Sequence, residues 1–164
     1  VRRKASYVAD GEVGLVEELG PDGERTTIEY VAGKKHGAYR AERDGYVEVG
    51  QHTQGERDGV WITTREGKKY REETLVKGVH TSDVHFHSNG TVSSRTRYSD
   101  GKPVRTESFD HEGKLDGETD YKNGRRSRVR RMYSTETVEI LYDDDGAEIE
   151  RKEWDASGKL KGRR

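Results

Sequence analysis

The chain has no cysteine, only two prolines, one methionine and two phenylalanines among its 164 residues. Without cysteine there is no disulfide framework, no thiolate metal site and no cysteine nucleophile. Hydrophobic residues make up 28% of the chain, against about 45–50% in ordinary globular domains. A thick two-layer core is therefore not expected. No run approaches the roughly 18 consecutive apolar residues of a membrane span, and no apolar signal-peptide core is seen. Neither sign of charge dominates: 31 Lys and Arg stand against 32 Asp and Glu, a formal charge of −1. General nucleic-acid binders carry a basic excess, so no specific nucleic-acid partner is expected. So polar a composition is typical of disordered chains. The order of the residues argues otherwise.

Glycine is abundant, and most of the 20 glycines fall on a grid. One series runs Gly11, Gly33, Gly55, Gly78, Gly101, Gly124, Gly146, in steps of 22 or 23. A second runs Gly23, Gly45, Gly67, Gly90, Gly113 and, after one missed beat near Ser134 and Thr135, Gly158. Interleaved, they place a turn every 10 to 12 residues. Asp10, Asp22, Asp44, Asn89, Asp100, Asn123 and Asp145 precede their glycines. Such pairs suit two-residue hairpin turns, whose central positions both need positive φ. The segments between turns have strand length and alternate: Val92, Ser94, Thr96, Tyr98 is one example. Alternation bounded by turns predicts strands. No helical pattern survives a glycine every dozen residues.

The expected fold is therefore all-β: an elongated antiparallel meander of about 13 to 15 strands, mostly one twisted layer. It is read as a single repeat domain over 1–164, irregular in 1–50 and regular in 51–164. Turn glycines Gly33, Gly55, Gly78, Gly90, Gly101, Gly113, Gly124, Gly146 and Gly158 mark it. An aromatic recurs once per repeat: Tyr30, Phe86, Tyr98, Phe109, Tyr121, Tyr142 and Trp154. These rings are expected to stack as a structural stripe on one face, with cross-strand charge pairs on the other.

The segments YVAGKKHGAY (Tyr30 to Tyr39), SNGTVSSRTRYSDGKPV (Ser88 to Val104), HEGKLDGETDYKNG (His111 to Gly124) and SGKLKGR (Ser157 to Arg163) resemble the MORN-like repeats of the bacterial YwqK-type antitoxin family. That pattern reads Tyr-x-x-Gly-Lys-x-x-Gly followed by an Asn-Gly turn. Gly33/Gly37, Gly55/Gly59, Gly113/Gly117 and Gly158/Gly162 keep both glycines. The resemblance implies a non-enzymatic protein binder, an antitoxin or immunity protein that occludes the active site of a cognate toxin. The alternative is a structural scaffold that oligomerises through sheet edges or touches membranes. The expected location is the cytoplasm, with export after loss of a leader before Val1 as the alternative.

Few constellations could carry chemistry. His80, Asp83, His85 and His87 fall within eight residues. Zinc accepts such ligands, but a solvated strand beside Gly78 is the preferred reading. Arg125, Arg126, Arg128, Arg130 and Arg131 form a basic run. It suits phosphate contact, or pairing with the acidic strand that follows; pairing is preferred, with Arg130 opposite Glu139 and Arg126 near Asp143. Asp143, Asp144 and Asp145 lack the spacing of a calcium loop and read as a turn. There is no nucleophile-elbow context. No catalytic residue, cofactor or metal site is expected. The partner-binding candidates are Trp61 and Tyr70, as aromatic anchors outside the repeat register, and Arg126, Arg128 and Arg130.

Overall fold

A computed structural model describes residues 2–7 and 13–164, with side chains from Gly14 onward. Asp10 and Gly11, the first expected turn, lie outside the described residues. Every regular element is a strand: β1 (Arg2–Tyr7), β2 (Val13–Leu19), β3 (Arg25–Val31), β4 (Lys34–Arg43), β5 (Tyr46–Thr53), β6 (Glu56–Arg65), β7 (Lys68–Val76), β8 (Val79–Phe86), β9 (Val92–Ser99), β10 (Lys102–Phe109), β11 (Leu115–Lys122), β12 (Arg125–Met132), β13 (Glu136–Tyr142), β14 (Glu148–Asp155) and β15 (Leu160–Arg163). Strand order follows chain order in an open antiparallel meander. The all-β meander expected from the glycine grid is thus present. The chain divides into two compact units, 1–83 and 84–164.

The turns are of two kinds. Ala32, Asp44, Gln54, Glu66, Lys77, Asp100 and Asn123 have φ between 48° and 55°, each followed by a positive-φ glycine. These are the expected two-residue turns, whose twist matches that of the flanking strands. The turns at Gly23, Gly90, Gly113, Gly146 and Gly158 differ. Here the glycine alone is positive, and its N–H donates to the carbonyl three residues back, as from Gly113 to Asp110 (3.0 Å) and Gly146 to Asp143 (3.1 Å). So Asp22-Gly23, Asn89-Gly90 and Asp145-Gly146 form longer loops with a glycine bulge, not the two-residue turns their sequence suggested. Three of these loops begin at an aspartate, Asp110, Asp143 or Asp155, while those at Gly23 and Gly90 begin at Gly20 and His87. One carboxylate oxygen of each aspartate accepts the N–H groups two and four residues on, at 2.8–3.0 Å. That side-chain turn competes with the tighter one. The aspartate triplet is accordingly a turn.

In the first unit one face is buried. Val16, Ile28, Tyr39 and Gly50 are paired in succession across β2 to β5. Val16, Ile28, Trp61 and Leu75 are 1–2% exposed. A single-layer sheet has no second layer to cover a ring, so cover comes from within the sheet. Trp61 lies where a Cβ on Gly50 would stand 2.2 Å from the indole. Tyr39 and His52 pack on it with centroids 5.0 Å away, and the Arg57 guanidinium covers the ring at 3.7 Å. The bulge that lifts Trp61 onto Gly50 is made at Gly59 (φ 74°), between the pairs Val49↔Ile62 and Gln51↔Asp58. Gly37 (φ 87°) does the same in β4, where the displaced N–H of Ala38 donates to Glu29 at 3.0 Å. The second glycine of the repeat motif is a bulge former here, because only glycine enters that backbone region without strain.

The single aromatic stripe is not formed. Alternation along β9, β11 and β13 puts Tyr98, Tyr121 and Tyr142 on the face of Thr96, Thr119 and Ile140. Along β10 and β14 it puts Phe109 and Trp154 on the opposite face, with Glu107 and Lys152. The cause is the bulge: one extra residue on the strand after the turn reverses its alternation, so the next ring falls on the other face. Each of these five rings stands on the straight strand beside a register shift, opposite the bulged one. A bulge widens the ladder locally and gives a ring room. Tyr30 is two residues from Ile28 on β3 and shares the buried face of the first unit. Phe86 closes β8 and is half-buried.

Candidate partner-binding surface

The first unit's buried face ends in an ion network. Arg57 bridges Glu48 (2.8 Å) and Glu73 (3.3 Å). Arg71 reaches Glu73 at 3.0 Å and grips Asp83 with two bonds of 2.9 and 2.7 Å. His80 lies 3.5 Å from Glu73. Glu73 and Asp83 are 3% and 6% exposed, a depth that carboxylates tolerate only when paired. Asp83 is thereby committed to a guanidinium. His87 Nε2 instead donates to the Phe109 carbonyl (2.9 Å), and its ring stacks on His111 (4.1 Å). Among the described residues no group of three or more His, Asp or Glu could hold a metal.

His52, buried against Trp61, has its pKa lowered, first by burial and then by Lys35 and Arg57. The folded state therefore prefers the neutral ring, while the unfolded chain takes up the proton near the ordinary value of 6.5. Stability from this source is full above that pH and falls as the pH drops below it. With Trp154→Phe leaving Trp61 as the sole tryptophan, urea melts at about pH 7.5 and 5.5 are expected to show a lower midpoint at the acid value. His52→Gln is expected to flatten that difference. An equal acid shift in both proteins would assign it to other groups.

The partner candidates fare differently. Trp61 is 2% exposed and is a core ring, not an anchor; Gly50, eleven residues earlier, was the signal. Tyr70 is the extra residue between Arg71 and Lys69 at the β7 bulge. It is 40% exposed and meets Tyr46 edge to face at 5.9 Å. Arg128 is taken up by three carboxylates: Glu118 (3.2 Å), Asp120 (3.2 Å) and Glu139 (3.7 Å). Arg130 stands opposite Glu118 and Glu139 in the register, as its sequence position predicted. Yet Arg128 and Arg105 take both carboxylates, and the buried Nε of Arg130 has no partner. Arg126, exposed and opposite Tyr121, makes no ion pair with Asp143; the acidic turn is held instead by Lys122 and Arg125 on Asp144 (2.9 and 2.6 Å).

The second unit thus presents a cross-strand row of charge. Arg95, Glu107, Glu118, Arg130, Glu139, Lys152 and Arg163 are paired in succession from β9 to β15. The opposite face carries the row Thr96, Thr106, Thr119, Val129, Ile140, Arg151. Beside it Arg131 extends over Gly117 to the hydroxyl of Ser108 at 3.1 Å. A Cβ on Gly117 would lie 2.4 Å from that guanidinium. Next to Arg131 is a concavity of about 610 Å³, floored by Val129, Val138 and Ile140 and rimmed by Tyr133, Ser134 and Thr135. This is the second-series turn that lacks glycine. Arg131 belonged to the basic run in the sequence, but nothing local distinguished it. The small residue that admits it, Gly117, is fourteen positions away.

The chain matches no protein-family model and no curated protein sequence. Among solved structures it is similar to TarM, at 14% identity and a TM-score of 0.28, over 68% of this chain and 20% of that one. A mutant S. aureus TarM in complex with fondaparinux, alpha-GlcNAc-glycerol and UDP gives 13% identity and a TM-score of 0.29 over the same shares. This chain spans 20% of the length of those structures, and a likeness at that level carries no argument about activity.

Proposed function

We propose that this chain is a non-enzymatic protein-binding repeat protein that acts as a bacterial antitoxin or immunity protein, covering the active site of a cognate toxin. The observation that supports the reading is the charged row across β9 to β15. Beside the row, the guanidiniums of Arg105 and Arg128 are held in place by its Glu118 and remain partly exposed, at 28% and 32%. Side chains fixed before binding lose less entropy on association. A mixed-sign surface selects its partner and speeds encounter. The resemblance of the repeats to the YwqK-type family supplies the class of partner.

The test is capture with this chain as bait from lysate of its own source, followed by co-expression of the captured partner. One stoichiometric protein with a toxic domain, whose toxicity the chain relieves, is the expected result. Its association rate is expected to fall about tenfold between roughly 0.05 and 0.5 M salt, as screening shortens the reach of the charged row. Recovery of the chain alone, or of lipid and envelope components, would overturn the reading in favour of a scaffold.

A further inference from the structure

We infer that Arg131 and the adjacent concavity form one docking site, and that its occupant is a partner segment carrying a carboxylate and, three residues on, an apolar side chain. The inference rests on the protein-binding reading above and names where and by what chemistry contact is made.

Three observations converge. First, Arg131 makes no ion pair with any described residue, although it sits on a sheet where most neighbouring guanidiniums are neutralised. Its one bond is to the neutral Ser108 hydroxyl, which orients the guanidinium without cancelling its charge. Second, its place is built. Gly117 is not in the left-handed region, so backbone conformation does not require glycine there; its lack of a side chain leaves open the place the guanidinium occupies, with the Ser108 hydroxyl 2.5 Å from where a Cβ would be. Unlike Arg126, the exposed Arg131 guanidinium is oriented by a hydroxyl and stands beside a concavity, so it is open to an anion from outside. The planar fork matches a carboxylate through two parallel bonds. Third, the concavity beside it is lined by Val129, Val138 and Ile140 together with Glu136 and Arg151, and includes the one described turn that departs from the glycine grid, where Tyr133 is 60% exposed.

Spacing fixes the occupant. The Arg131 guanidinium lies over β11, and Val138 and Ile140 belong to β13, two strand spacings or about 10 Å away. A polyproline II segment has three residues per turn and rises about 3.1 Å per residue, so positions three apart face the same way about 9 Å from each other. A carboxylate at one position and a leucine-like side chain three residues later, in that conformation, therefore reach both points together. The nearby Glu136 is paired with Lys161 at 3.3 Å, and Arg151 with Glu153 at 2.9 Å, so neither competes for Arg131.

The probe is the blocked peptide acetyl-Asp-Ser-Ser-Leu-amide, titrated into the intact labelled chain and followed by NMR. Expected are shifts at Arg131, Val138, Ile140 and the Tyr133 to Thr135 turn. The Asn-for-Asp peptide is expected to bind about tenfold more weakly, as loss of a charged hydrogen bond predicts. Arg131→Gln should weaken the Asp peptide by a similar factor. Gly117→Ala keeps the charge but displaces it, and should weaken it too, with both variants retaining the parent's amide dispersion. Equal binding of the two peptides, shifts confined to other strands, or no shift at millimolar peptide would overturn the inference. Peptide binding without any captured toxin sinks the antitoxin reading and leaves this site standing. A captured toxin that Arg131→Gln retains unchanged does the reverse.

Discussion

Trp61→Ala is expected to destabilise the first unit by about 3–5 kcal/mol, the range for truncating a buried aromatic. Against a total of about 5–15 kcal/mol for a small domain, that loss leaves the unit marginal. The effect is large because the indole is the largest fully buried side chain and because its removal uncovers partners on every side. Tyr39 and His52 lose an aromatic neighbour, and Arg57 loses the ring beneath it. The sheet cannot collapse to fill the gap, since no second layer follows. Circular dichroism in a urea series measures the change. A companion substitution ties it to Gly50. In the parent, Gly50→Ala places a methyl 2.2 Å from the indole and is expected to cost about 1–3 kcal/mol by overpacking. In Trp61→Ala the same methyl meets empty space, and its cost should vanish. Additive costs would show that the ring does not need the glycine.

Arg128→Met is the second large effect, and it separates scaffold charge from recognition charge. Arg128 serves three carboxylates, Glu118, Asp120 and Glu139. Arg105 still reaches Glu118 and Asp120, so two of the three keep a cation, and Glu139 loses its ion pair. Removing one partner of a buried pair costs about 3–5 kcal/mol, and of an exposed pair about 0–1 kcal/mol. At 32% side-chain exposure for Arg128 and 11% for Glu118, about 2 kcal/mol is expected, between those limits. Arg126→Met, by contrast, removes an exposed side chain with no ion pair and should stay within about 0.5 kcal/mol. Thermal melts of the two variants compare them directly. Equal effects would mean that the three-carboxylate cluster contributes nothing to the fold.

What the sequence made legible follows from what is local. Turns depend on a few neighbouring residues, so the glycine grid located nearly every hairpin, and alternation between turns located the strands. Register across β12 and β13 was also readable, because the pivot near Ser134 fixes it: Arg130 does stand opposite Glu139. What could not be read is which neighbour a long side chain chooses. Arg128, one step diagonal, takes Glu139 instead, since a guanidinium can reach several carboxylates at similar cost. Bulges hid two further features. Each extra residue shifts the pairing register without changing the turn spacing, so rings that recur regularly along the chain fall on both faces and not in one stripe. In the same way Trp61 read as an outlier, when the bulge at Gly59 turns it inward onto Gly50.

The 22- to 23-residue spacing of turns on the same edge has a consequence for how such chains change length. One period is two strands and two turns, so its gain or loss by unequal recombination returns the next strand to the same direction and the same edge. Gain of a single strand with its turn would reverse the direction of everything downstream. Copy number can therefore drift in whole hairpins with little penalty to the ladder. The exception is the hairpin of β12 and β13. It alone among the described ones lacks the turn glycine, and its Arg131 depends on Gly117 in the preceding strand. A recombination breakpoint between those two strands would part the cation from its seat while leaving every turn intact.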